Sequence, residues 1–222
     1  MIADTFGWGT FPDAFRFIGD HPSLLLQKTA EHLELSGAAL GIALAIALPL
    51  GVWLGHLHRG SFVAITVSNA GRALPSLVLI AFGLLVFGIG FWNNTAALVV
   101  LAVPPILTNS FFGVDGVDRN VVEAARGIGM SGTQVLRRIE LPLAAPLIFA
   151  GIRIGAVFVV ATATIAAVAG GGGLGEIIVN QASYRLSGVV AASLLVSALA
   201  FGVALLLAIV RRAVTPRPLS GQ

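Results

Sequence analysis

A chain of 222 residues that is 57% hydrophobic and only 10% charged has too little charge for a water-facing surface, where about 25% is usual. Its apolar residues come in runs of about 20, enough to cross a hydrocarbon core roughly 30 Å thick, so the expectation is an all-α integral membrane protein and not a β-barrel. Having no cysteine excludes disulfides, thiolate-held zinc and thiol chemistry; 12 of the 13 basic residues are Arg, and they flank apolar runs, which reads as a topology signal and not as a nucleic-acid surface.

Residues 1–34 are polar with some aromatics and lack the basic and apolar regions of a cleavable signal peptide. Within them Leu24–Leu35 suits an amphipathic helix lying in the interface, while residues 1–20 read equally well as a loosely ordered tail. The membrane domain, 35–212, holds five expected spans at about 35–55, 73–92, 95–114, 147–169 and 189–210. The first carries Gly37-x-x-x-Gly41 and Gly51-x-x-x-Gly55, spacings that let helices approach closely and here suit ordinary packing. His56 and His58 follow it, with no third ligand nearby to make a metal site. Phe62–Arg72 either extends the second span, with Pro75 as a kink, or lies in the interface, and Arg72 belongs near the surface or a watery cavity. Phe91–Asn94 reads as a tight polar turn. Pro104-Pro105 should break the second half of the third span. After the fourth span, Gly170–Gly188 reads as a glycine hinge with one short helix, and 213–222 as a disordered tail.

Five spans place the chain's ends on opposite sides. One side collects Arg59, Arg119, Arg126, Arg137, Arg138, Arg211, Arg212 and Arg217, eight basic residues; the other collects Arg16, Lys28 and Arg185, three. The richer side should be cytoplasmic, with the N-terminus outside.

The longest polar interruption, 115–146, should then lie on the cytoplasmic surface as two short helices. Asp118 caps the first, which runs through Arg126 and stops at Gly127 or Gly129; Ser131-x-x-Gln134 is a capping box for the second; Pro142 and Pro146 should end it and lead into the fourth span. Glu123 and the adjacent alanines give the first helix a small-residue face with one carboxylate, suited to a groove on another protein. A merely helical loop is the plainer alternative.

Glu123-Ala124-Ala125, three residues, Gly129, nine residues, then Ile139-x-Leu141-Pro142 resembles, without a departure, the EAA loop of ABC-type importer permeases. The flanks extend the likeness: Arg72–Leu77, Gly151-Ile152-Arg153, and Gly171–Glu176. Together, over roughly Leu24 to Val210, they look like the permeases for osmoprotectants such as glycine betaine, carnitine and choline. The resemblance implies a type I importer permease fold in a bacterial cytoplasmic membrane. It implies that Glu123, Ala124, Ala125, Gly129, Ile139, Leu141 and Pro142 couple the chain to a separate ATPase subunit. A second permease chain, identical or related, and an extracytoplasmic binding protein would complete the importer, with ATP and magnesium held by the ATPase and no cofactor in this chain.

No P-loop is present, and Gly170-x-Gly172-x-x-Gly175 follows an apolar span, not a strand, so it is no dinucleotide fingerprint. No catalytic set appears, which makes this a transport subunit and not an enzyme. Polar residues within or beside spans are the candidates for a substrate pathway: Asn69, Arg72, Thr108, Asn109, Thr162 and Thr164, although each also suits bonding within its own bundle. Gly171, Gly172, Gly173, Gly175 and Glu176 suit an outer hinge or gate, or a plain loop. Two other classes make different predictions. A secondary transporter predicts inverted repeats and paired buried charges; a membrane scaffold predicts no fixed EAA spacing. The nearer rival is an importer permease for an amino acid such as methionine.

Overall fold

The computed structural model describes residues 9–73 and 75–214, without the side chain of Arg72. The expected tails fall partly outside it, at 1–8 and 215–222. The described residues hold ten α-helices and no strand: α1 (Thr10–Asp20), α2 (Pro22–His56), α3 (Ser61–Ala73), α4 (Ser76–Phe87), α5 (Phe91–Asp115), α6 (Arg119–Gly127), α7 (Gly132–Val135), α8 (Leu141–Ala166), α9 (Leu174–Val179) and α10 (Gln181–Val214). A π-helical turn, Leu136–Glu140, joins α7 to α8 without a break, and a 3₁₀ turn, Ala167–Ala169, extends α8.

The core forms around α5. Along α2 the buried residues Leu35, Ala39, Ala43, Ala47, Gly51 and Gly55 recur every fourth position, a stripe that nearly parallels the helix axis and keeps small side chains on one face. Against it α5 presents Leu98, Ala102, Ile106, Leu107 and Phe111. A Cβ on Gly51 would sit 2.6 Å from the carbonyl oxygen of Leu107, and one on Gly55 2.8 Å from that of Phe111. Backbones therefore touch at this end, which small residues permit and larger ones forbid. Gly37 and Gly41 differ from expectation: a Cβ on either meets nothing within 4 Å, because the buried stripe runs through Leu35, Ala39 and Ala43 and leaves them on the opposite side. On its other flank α5 packs on α8 through Gly151 and Gly155, whose Cβ positions are occupied by Asn109, the Pro105 carbonyl and Ile106.

Several element boundaries depart from the expected ones. The interfacial helix Leu24–Leu35 and the first span are one helix, α2, because nothing between Pro22 and His56 interrupts it and Pro49 is absorbed within it. The N-terminal amphipathic element is α1, which buries Ala14 and packs through Phe17 and Ile18 against α10. Of the two readings for Phe62–Arg72, the structure has the helix broken at Pro75: α3 and α4 meet at 95°, since the ring disfavours helical geometry at the residue before it. Phe91–Asn94 is the first turn of α5 and not a free turn. The connection is Gly88–Gly90, where Gly88 and Gly90 have φ of 70° and 134°. Pro104-Pro105 does not break α5; the neighbouring α3 takes up the local polar groups, with Thr108 donating to the Ala64 carbonyl at 3.3 Å.

Four helices are long and apolar enough to cross a membrane: Pro22–His56, Phe91–Asp115, the continuous stretch Gly132–Ala169, and Gln181–Val214. The bent pair α3–α4, taken as one span, would make five. The last residue of α2 bonds to Glu140 at one end of the bundle, whereas Asn94, at the start of α5, donates to Ala169 at the other. The chain between His56 and Asn94 must therefore traverse the bundle.

Candidate functional site

The polar loop is built as two capped helices on a small core of its own. Asp118 accepts the N–H of Asn120 at 2.9 Å. Gly129, φ 88°, ends α6: its N–H donates to the Arg126 carbonyl at 2.9 Å and the Met130 N–H to the Ala125 carbonyl at 3.1 Å. That double bond around a left-handed residue is a Schellman motif. No atom lies within 4 Å of a Cβ placed on Gly129, so it is backbone conformation and not space that demands glycine there. Ser131 and Gln134 close the capping box in both directions, at 3.4 and 2.8 Å. Val117, Val122, Ala125 and Val135 are buried beneath, with Met130 and Ile139 against them.

The coupling candidates divide by burial. Glu123, Ala124 and Gly129 are exposed, Ala125 is buried, and Ile139, Leu141 and Pro142 are half-buried where the loop runs into α8. The exposed face also carries Ile128, 83% exposed.

The loop's ends are fastened. The imidazole of His56, at the end of α2, donates through Nδ1 to Glu140 Oε2 at 2.5 Å. His58, in the following turn, donates to Asp115 Oδ1 at 2.9 Å.

Between α3, α5 and α8 lies a cavity of about 450 Å³ lined by Ser68, Gly71, Leu101, Pro104, Pro105, Thr108, Asn109, Ile154 and Phe158. Thr108 and Asn109 are thus brought together, next to Gly71. Arg72 adjoins this wall in sequence. Asn69 is exposed on α3, and neither Thr162 nor Thr164 lines the cavity; Thr164 bonds back to the Ala161 carbonyl at 2.7 Å.

At the opposite end the glycine-rich segment is tied down. Glu31 accepts the Gly173 N–H at 3.0 Å, and Lys28 bridges Glu31 and Glu176 at 2.9 and 2.6 Å. Gly172 and Gly173 have φ of 65° and 68°. A Cβ on Gly171 would meet the Ala166 carbonyl at 2.7 Å, and one on Gly175 would overlap the Thr164 backbone. The glycines allow this segment to fold tightly over the end of α8.

Residues 47–217 match the family of binding-protein-dependent transport system inner membrane components. The chain belongs to this family. It is 37% identical to the glycine betaine/carnitine/choline transport system permease protein OpuCB of Bacillus subtilis, over 92% of this chain and 95% of that one. Identity to the choline transport system permease protein OpuBB of the same organism is also 37%, over 90% and 93%. In fold it is similar to the inward-facing MetNI methionine ABC transporter, with a TM-score of 0.76 at 24% identity, covering 88% of this chain and 99% of that one. The architecture is that of a type I importer permease.

In this inner membrane component three side-chain links have no signature in the sequence. His56–Glu140 and His58–Asp115 join residues far apart in the chain. Lys28–Glu31–Glu176 does the same. Ile128 was legible in principle, as an apolar residue in a polar stretch between two glycines.

Proposed function

We propose that this chain is the membrane-spanning permease subunit of an ATP-driven importer for a small osmoprotectant such as glycine betaine, carnitine or choline. The observation that carries the substrate class is the near full-length similarity to permeases named for these solutes. The cavity supports it: Ser68, Thr108 and Asn109 offer neutral polar atoms, Phe158 offers an aromatic face to a quaternary ammonium, and no carboxylate lines the wall. Such a wall passes a zwitterion or cation on without holding it tightly.

The loop α6–α7, with Glu123, Ala124, Ala125, Gly129 and Ile128, docks on a separate ATPase subunit that binds ATP and magnesium. Ile139, Leu141 and Pro142 carry the contact into α8. A second permease chain and an extracytoplasmic binding protein complete the importer, which sits in a bacterial inner membrane with the N-terminus outside and the docking loop inside. The glycine-rich segment Gly171–Glu176 lies at the outer end as a gate, held shut by Lys28 and Glu31.

The test is reconstitution with the partner ATPase and binding protein in vesicles, followed by ATP-dependent uptake of labelled glycine betaine, choline, carnitine and methionine. Saturable uptake of the quaternary ammonium solutes is expected; uptake of methionine alone would overturn the substrate class. Glu123→Arg should abolish uptake while the chain still inserts, and normal transport by that variant would remove the docking assignment.

A further inference from the structure

We infer that His56 and His58 are positioning residues that fasten the end of α2 to both ends of the docking loop, so that movement of the loop is delivered to α2 as well as to α8. The inference rests on the reading of α6–α7 as the docking element.

Four observations carry it. First, the two carboxylates stand at the two junctions of the loop: Asp115 is the last residue of α5, and Glu140 is the last before α8. Second, both are met from one short turn, by His56 and His58. Third, Glu140 is fully buried, and among the described residues its side chain bonds to His56 alone. A buried carboxylate with one partner is expensive to leave alone, and it favours keeping α2 and the loop together throughout any movement. Fourth, Glu140 lies in the π-helical turn Leu136–Glu140. The extra residue of a π turn shifts the helical register, and here the turn ends on the buried Glu140. His58 itself holds φ 50°, a left-handed conformation that histidine, like Asn and Asp, adopts more readily than most residues.

Packing brings the two elements close. A Cβ on Gly55 would lie 3.2 Å from the Asp115 backbone nitrogen, so the end of α2 lies directly against the end of α5. The ring of His56 lies beside Gly132, with Nε2 3.6 Å from where a Cβ on that glycine would be. The His-x-His pair that suggests a metal site in sequence is instead divided between two carboxylates, one for each end of the loop.

The experiment compares whole importers, reconstituted with ATPase and binding protein, for stimulation of ATP hydrolysis by loaded binding protein and for solute moved per ATP. His58→Asn leaves partly exposed groups and should fold; His56→Gln with Glu140→Gln removes the buried carboxylate together with its partner. Each should lower the stimulation about fivefold or more while the complex still assembles. The exchanged pair, His58→Asp with Asp115→His, should recover it, which a general loss of stability would not. Wild-type stimulation and stoichiometry in His58→Asn, or failure of the exchanged pair to recover a loss, overturns the inference. Glu123→Arg in the same vesicles separates the two readings: if it couples normally, the docking assignment fails and the clamp falls with it. If it uncouples and the histidine variants do not, only the clamp is wrong.

Discussion

A methyl group on Gly51 would lie 2.6 Å from one backbone carbonyl and 2.8 Å from Cβ of Ser110, while the same group on Gly37 would meet nothing within the chain. The two sites share a sequence signature and differ only in which side of α2 they occupy. Gly51→Ala should therefore destabilise the bundle by about 1–3 kcal/mol, the usual cost of overpacking, and Gly37→Ala should not, as read by thermal unfolding in detergent. At Lys28 the physics is electrostatic. It separates Glu31 from Glu176, and Lys28→Met leaves two carboxylates facing each other beside Gly173. Amide exchange in 171–176 should then accelerate about tenfold, corresponding to loss of one hydrogen bond to a charged group. Pairs such as Lys28–Glu176 or His56–Glu140 were not legible in sequence. Periodicity reports which side of a helix is apolar, and capping reports neighbours within four residues; neither carries information about a single partner 148 or 84 positions away.

At the scale of elements, local chemistry was a better guide than composition. Asp118, Gly129, Ser131 and Gln134 announced both loop helices because each works on backbone within a turn of itself. Ser131→Ala should cost the second helix about 1 kcal/mol, seen as faster amide exchange over 131–136 with the bundle unchanged. Proline was more equivocal. Pro75 breaks a helix and Pro104-Pro105 does not, though all three remove donors. At Pro75 the chain turns by 95° into α4. In α5, neighbours crowd the site: a Cβ on Gly71 would overlap the Pro104 ring, and Thr108 bonds to α3. The carbonyls of Val100 and Leu101 lose their helical donors, and Leu101 lines the cavity. The pair therefore supplies polar backbone to that wall instead of ending the helix.

For the whole molecule, the number of crossings and the central place of α5 follow from where the ends of α2, α5 and α8 meet. Residue periodicity could not give this, because α5 is apolar nearly all round. Its apolar window is 56% buried, against 6% for α10. Orientation across the bilayer rests on the distribution of arginine. The chain has no cysteine, which makes single replacements clean reporters. In intact cells, Thr133→Cys should resist a membrane-impermeant thiol reagent, and Ser183→Cys should react; the opposite pattern would invert the topology. 

The unbroken passage from α7 through the π turn into α8 has a mechanical consequence. Gly132–Ala169 is 38 residues without an interruption, a rod of about 57 Å, with the polar loop at one end and the glycine-rich segment at the other. Tilting such a rod by about 5° about one end carries the other end through roughly 5 Å, nearly the rise of a full helical turn. Under the proposed docking role, a tilt of this size at the loop end would be delivered over the full length of the helix to Ala169, whose carbonyl accepts from Asn94.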